Sequence, residues 1–198
     1  MNKGKIVFYS TIFVVVLLVL ILGITLISGY NKLVETDENV NLKYSQVSNV
    51  LETRHNKIIL IAEAVNGLQN YAIDIYDMIT AAREAYAAAA ASGDPADYAE
   101  ADNLQSLALT ELMAMVQAED NPNISVDAIY SQYIDEVSSI ESSLQYARYQ
   151  YNLSVQAYSL QVRKFPQNII AKIFGYSLTR SYWALPEGQG ELPEVDFS

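Results

Sequence analysis

Cysteine is missing from this sequence of 198 residues, and histidine occurs once. Without cysteine there are no disulfides, thiolate metal sites or thiol nucleophiles. The single histidine, His55, has no partner at the spacing that zinc sites or Ser-His-Asp triads need. A group of acidic residues misses the oxygen spacing of a calcium loop: Asp94, Asp97, Glu100 and Asp102. We therefore expect a non-enzymatic protein with no catalytic residues, metal site or cofactor.

Positive charge is also scarce, with 12 Lys and Arg residues against 23 Asp and Glu residues. Lys3 and Lys5 come first, before any acidic residue, which leaves the rest of the chain with 10 basic residues and a net charge of −13. Nucleic-acid binding needs clustered basic side chains that release counterions from phosphates. The composition therefore argues against a nucleic-acid partner.

One long apolar run follows these two lysines. Residues 6–27 carry no charge, and as a helix they span about 33 Å, the thickness of a bilayer's hydrocarbon core. A cleaved signal peptide has a shorter apolar core and ends at a pair of small residues, which positions 27–30 do not offer. We predict a head at residues 1–5, a transmembrane helix at 6–28 and the lipid bilayer as a partner.

The charges on either side of this run predict its orientation. Lys3 and Lys5 precede it, whereas Lys32 is the one basic residue close behind it. Because basic flanks stay in the cytoplasm, we expect a single-pass cell-membrane protein with a cytoplasmic N-terminus and an extracytoplasmic body.

Beyond residue 29, apolar or small residues recur at steps of three and four, the spacing of a helix seam. Gly93 and Pro95 predict a turn after the first stretch, and residues 119–123, with Ser125 as a cap, predict a second turn. The expected helices are one long stretch up to residue 92, then 96–118, 126–165 and 167–174. No segment alternates with the period of a strand.

Narrow apolar stripes must be buried, so the predicted fold is all-α, with an antiparallel bundle of long helices over residues 29–176. A break near residues 53–57 would give an up-and-down four-helix bundle, which we favour. The alternative is one continuous long first helix with shorter partners. Residues 177–198 are interpreted as an irregular tail.

Three charged residues lie beside the helix seams. Glu141 and Arg148 are seven residues apart on one helix, and Arg83 has the same relation to the seam of another. They predict either a polar pocket or structural ion pairs between helices, and we favour ion pairs.

Two other groups predict contact surfaces. Tyr146 and Tyr149 point away from the seam and could form an interaction patch, although half-buried aromatics are an alternative. The segment 167–174 presents four large apolar residues that could dock on the bundle, which we favour, or enter the membrane interface: Ile169, Ile170, Ile173 and Phe174. Asn123 and Asn152 begin glycosylation sequons, whose use stays open.

Several of these residues also match a known pattern. Arg54, the Ala82-Arg83 pair, Ala147-Arg148-x-x-Tyr151-Asn152, Phe165-Pro166-x-Asn168 and Phe174-Gly175-Tyr176 resemble the LemA family over essentially the whole chain. This chain departs from the family in having Ile59-Leu60 where a Pro-Asn pair is usual. The resemblance implies a membrane-anchored helical bundle facing out of the cytoplasm, in a family without an agreed biochemical activity.

We therefore expect a membrane-tethered scaffold or interaction protein of the cell envelope. It is expected to self-associate through its helix seams or to bind another envelope protein. The alternatives are a membrane-shaping or bridging assembly protein, and a ligand-binding accessory or sensor subunit.

Overall fold

A computed structural model describes residues 3–65, 72–117 and 128–183 of the chain. All regular structure in these ranges is helical, which confirms the all-α prediction: α1 (Lys3–Val65), α2 (Ala72–Ser92), α3 (Pro95–Gln117), α4 (Ala128–Arg163) and α5 (Gln167–Ile173). The predicted turn at 119–123, the Ser125 cap, the Asn123 sequon and the tail beyond Trp183 lie outside the described residues.

The chain divides into two compact units. We call the first the N-terminal unit, Met1–Asn41 with Ser154–Arg180, and the second the bundle unit, Leu42–Leu153 with Ser181–Ser198.

Four helices share one core in the bundle unit. Each of α1 to α4 contributes buried apolar side chains to it: Ile58, Ile61, Ile79, Ala82, Ala108, Leu109, Leu112 and Val137. These residues belong to the predicted seams or lie next to them, so the periodicity located the core correctly.

The contacts between helices give the direction of each one. Tyr44 on α1 donates a hydrogen bond to the carbonyl of Gly93, and His55, further along α1, stacks on Tyr86. Residue numbers therefore rise along α1 while they fall along α2, as in antiparallel neighbours. Lys57 pairs with Glu136 and the earlier Arg54 pairs with Glu141, so α4 is also antiparallel to α1. The up-and-down arrangement is confirmed.

The favoured break near residues 53–57 is wrong, because α1 is a single helix of 63 residues, about 95 Å long. No proline or glycine interrupts that region, and Arg54 occupies a buried seam position. Only residues 42–65 of α1 belong to the bundle unit, and this part is about as long as α2 (21 residues) and α3 (23 residues). The long first helix therefore does not overrun its bundle partners.

The turn between α2 and α3 forms as its sequence predicts. Gly93 has φ +67°, and its N–H donates to the carbonyl of Ala89 at 2.9 Å. A left-handed residue at this position favours glycine. Asp94 then caps α3 by accepting a hydrogen bond from Ala96 N–H at 2.8 Å, with Pro95 as the first helical residue.

In the N-terminal unit, the apolar part of α1 is rich in Val, Leu and Ile, and its side chains are exposed. By length and composition this helix can cross a membrane. The short α5 packs on it just beyond the apolar run, where a Cβ added to Gly29 would overlap with Ile170 Cδ1. After α5, Tyr176 N–H donates to Ala171 O at 2.9 Å and Gly175 N–H to Lys172 O at 3.4 Å, which is a Schellman motif.

Candidate functional site

Arg54 lies between Leu51 and Ile58 on the seam of α1, and 1% of its side chain is exposed. Its three nitrogens donate five hydrogen bonds. Nε donates to Gln105 Oε1 (3.0 Å), Nη1 to Ser106 Oγ (3.0 Å) and Glu141 Oε1 (2.8 Å), and Nη2 to the carbonyl (2.7 Å) and Oδ1 (2.5 Å) of Asp102. Five is the number of N–H donors that a guanidinium carries. The buried cation is therefore fully bonded to α3 and α4.

Asp102 on α3 is the centre of this arrangement, with a side chain 1% exposed. Its Oδ1 accepts hydrogen bonds from Arg54 and from Arg148 on α4, and its Oδ2 accepts one from the indole N–H of Trp183 at 3.0 Å. We call Arg54, Asp102, Glu141, Arg148 and Trp183 the Asp102 cluster. Two cations face two carboxylates in it, so the charges balance within the cluster.

The cluster accounts for two of the three predicted ion-pair residues. Glu141 and Arg148 take part in it, and their partners are Arg54 and Asp102 on other helices. Arg83 does not, because it is exposed on α2 and forms no ion pair with any residue in the described part of the chain.

Sequence reasoning missed Arg54, Asp102 and Trp183 as members of the site. A signal for the first two was present, since Arg54 continues the rhythm from Leu51 to Ile58 and Asp102 lies four residues after the buried Tyr98. A charged residue at a seam position must find a partner inside the bundle, because an unpaired buried charge is costly.

The chain that follows α5 carries Trp183 to this cluster. Tyr151 donates to Ser181 O at 3.0 Å, and the Asn152 side chain donates to Trp183 O at 3.2 Å and accepts from Trp183 N–H at 2.8 Å. Residues 177–183 have no regular secondary structure, and Trp183 is buried among these contacts. The Asn152 amide, the acceptor of the second sequon, is occupied by these bonds.

Aromatic rings fill the bundle unit next to the turn between α2 and α3. Tyr98 lies edge-on to Tyr44 and to Tyr86, with ring centroids 5.6 Å and 6.0 Å apart. Burial, followed by the charge of Glu52, raises the pKa of Tyr86 to about 12. Burial, followed by the charge of Arg83, lowers the pKa of His55 below its ordinary value, so this histidine is neutral at pH 7.

The N-terminal unit holds a second polar site. Arg180 Nη2 donates to Asp37 Oδ1 at 2.5 Å, and its guanidinium lies 5.6 Å from the ring centroid of Tyr158, a cation–π contact. Tyr158 donates to Ser177 O at 2.7 Å, and burial followed by the charge of Asp37 raises its pKa. A cleft of about 450 Å³ opens here, lined by Tyr30, Asp37, Tyr158, Phe174, Gly175, Tyr176, Ser177 and Arg180.

The predicted contact residues separate into exposed and buried ones. Tyr146 is 66% exposed, Tyr149 59% and Leu153 40%, and their spacing of three and four places them on one outer stripe of α4. We call this the outer face of α4. In the segment 167–174, Ile170 is buried, whereas Ile169, Ile173 and Phe174 are exposed.

These features define a class: a helical-bundle protein whose first helix is a candidate membrane anchor and whose interior is joined by a balanced cluster of charges. The model of the LemA family matches residues 43–197. The chain belongs to the LemA family. None of the curated proteins compared with the chain matches it. Four residues that carry the resemblance, Arg54, Arg148, Tyr151 and Asn152, bond directly to Asp102 or to residues 181–183.

Proposed function

We propose that this protein is a non-enzymatic scaffold of the cell envelope, tethered to the membrane by α1 and self-associating through the outer face of α4. The observation that carries the proposal is the exposure of Tyr146, Tyr149 and Leu153 on one stripe of a helix whose opposite side is fully buried. Tyrosine is enriched in protein interfaces because its ring supplies area and its hydroxyl supplies a hydrogen bond.

The burial of the seams limits which surfaces are free for self-association. The seam residues that were expected to drive self-association are buried within the chain itself, among them Leu51, Leu112, Leu144 and Val155. These residues pack within the chain itself, which favours another surface for contact between chains. The outer face of α4 offers one, and a shared membrane raises the local concentration of tethered copies.

The interior of the bundle unit supports a structural role for its charged groups. Arg54, Arg148 and the indole of Trp183 all bond to Asp102, so each of these groups is occupied by another part of the same chain. Such a cluster aligns three helices and the segment 181–183 in one register. A scaffold needs this rigidity because it must present its outer surface in a fixed shape.

The anchoring and orientation belong to the same proposal. The exposed apolar length of α1 supports a bilayer span, and the lysines before it support a cytoplasmic N-terminus with the bundle outside.

Photo-crosslinking in native membranes tests the interface. A photoreactive phenylalanine analogue at Tyr149 is expected to give products at multiples of the 22.0 kDa chain. The same analogue at Thr80, an exposed residue of α2, serves as the control. A single foreign product at Tyr149 would identify a hetero-scaffold, a long ladder would favour a membrane-shaping assembly, and equal crosslinking at both positions would contradict the interface.

The cleft at Arg180 favours one alternative function, a ligand-binding accessory or sensor subunit. It combines a cation, a carboxylate and several aromatic rings, which is the usual mixture in small-molecule sites. Isothermal titration of the detergent-solubilised chain with a small-molecule panel would reveal this function, and Arg180→Ala should abolish any binding found.

A further inference from the structure

Large apolar side chains are exposed around α5 although its inner side is already docked. Ile170 and Ala171 are buried, but Phe165 is 79% exposed and Ile173 65%, and Ile169 and Phe174 are about half exposed. We call Phe165, Ile169, Ile173 and Phe174 the outer side of α5. Isolated exposed apolar residues are ordinary, but four within ten residues form a patch of the kind that marks a contact with a protein or a membrane.

The position of α5 along α1 indicates what this patch contacts. Ile170 meets α1 at Gly29, and the Phe174 ring lies 4.6 Å from that of Tyr30. Gly29 is two residues, or about 3 Å, beyond the end of the apolar run at residue 27. The headgroup layer of a bilayer extends roughly 6 Å beyond its hydrocarbon core on each side. A membrane spanned by α1 therefore places the docking point of α5 within the headgroup layer.

The charges near α5 differ from those of the rest of the chain. The sequence has a net charge of −11, but no acidic residue lies between Glu141 and Glu187. Arg148 and Arg180 in this interval are used in ion pairs. Arg163, Lys164 and Lys172 are exposed and form no ion pair with any described residue. Three cations beside an apolar patch complement anionic lipid headgroups, which attract such groups by roughly 1 kcal/mol each.

We propose that the outer side of α5, with Arg163, Lys164 and Lys172, inserts into the headgroup layer of the bilayer and binds anionic lipid there. This rests on the membrane tether of the proposed function. The segment is a second, shallow membrane contact of the N-terminal unit.

Depth-dependent quenching in reconstituted vesicles tests the proposal on the full chain. Because the chain has no cysteine, a single introduced cysteine can carry an environment-sensitive fluorophore at any chosen position. Three positions are compared: Phe13 within the uncharged run, Ile173 on the outer side of α5, and Ser143 on the exposed side of α4. The vesicles contain phosphatidylcholine alone or with about a third phosphatidylglycerol, and the quencher is placed at a shallow or deep lipid position.

We expect deep quenching at Phe13, shallow quenching at Ile173 in the anionic vesicles, and none at Ser143. Quenching at Phe13 without quenching at Ile173 would overturn this inference and leave the tether intact. A fluorophore at Phe13 that no lipid quencher reaches would refute the tether itself, and the inference with it. Shielding of Ile173 only in native membranes, and not in these vesicles, would assign the patch to a protein partner instead.

A matched pair of variants tests the role of charge. Lys164→Gln with Lys172→Gln removes two cations next to α5, and Lys43→Gln with Arg83→Gln removes two cations in the bundle unit. At about fivefold per cation, the first pair should weaken insertion by about 25-fold and shift the Ile173 fluorophore towards its emission in water. Lys43→Gln with Arg83→Gln should leave the emission of the Ile173 fluorophore unchanged. Equal quenching in both lipid mixtures and in both variants would overturn the anionic-lipid specificity.

Discussion

Two arginine–aspartate pairs of this protein have the same length and different surroundings. Arg54 and Asp102 in the bundle unit are 2.5 Å apart with 1% of each side chain exposed. Arg180 and Asp37 in the N-terminal unit are also 2.5 Å apart, with 37% and 18% exposed. Distance alone would rank them as equal. Burial makes their energetic contributions different, because water screens the charges of an exposed pair and can solvate either partner if the other is removed.

The difference lies in what remains after one partner is removed. A buried ion pair contributes little net stability relative to an apolar replacement, because the cost of desolvation offsets the attraction. Removing one partner is nevertheless strongly destabilising, because the other charge is left buried and unpaired. Asp102 accepts hydrogen bonds from three buried groups, the side chains of Arg54, Arg148 and Trp183. The pair of the N-terminal unit has water available, so its loss leaves no comparable defect.

The largest expected effect comes from Asp102→Ala. It leaves Arg54, Arg148 and the Trp183 indole N–H without their acceptor, and we expect the free energy of unfolding to fall by about 3–5 kcal/mol. Thermal unfolding of the full chain in detergent measures this loss. Trp183 is the sole tryptophan, so a red shift of its emission would report release of the segment 181–183. An unchanged melting temperature would show that the cluster does not contribute to the stability of the fold.

Arg148→Ala should have a smaller effect on the same scale. It removes one charged hydrogen bond to Asp102, but Arg54 still neutralises that carboxylate, so we expect a loss of about 1.5–3 kcal/mol. Arg83→Ala is the matched control, because this exposed arginine on α2 should change the melting temperature little. Equal effects of the two substitutions would contradict the assignment of Arg148 to the core.

How far the sequence predicts this architecture depends on the kind of interaction. The seams predict the helices, since periodicity is a local property, and Gly93 predicts its turn because a left-handed residue favours glycine. The continuity of α1 through Arg54 agrees with the absence of proline and glycine there, but the partners of Arg54 are set by tertiary contacts, because its guanidinium is buried between helices. Trp183 lies in a non-helical segment, where no period indicates what a side chain touches. Its hydrogen bond to Asp102 is therefore a finding of the structure.

Arg180→Ala provides the direct contrast with the buried cluster. Because the pair is partly exposed, we expect a change of about 0–1 kcal/mol in the free energy of unfolding. The effect should shrink further in 1 M salt, whereas that of Asp102→Ala should persist, since buried charges are poorly screened. A loss as large as that of Asp102→Ala would mean that burial does not separate the two pairs.

The smallest expected effect concerns His55 and pH. Its pKa is lowered in the folded state, chiefly by burial, with Arg83 as the second cause, so the unfolded chain binds the proton more readily. Stability from this residue is therefore complete above the unfolded pKa of about 6.5 and declines as pH falls below it. His55→Gln should flatten the dependence of the melting temperature on pH between about 5.5 and 8, where few carboxylates titrate. The same slope in the variant and the parent chain would assign the dependence to another group.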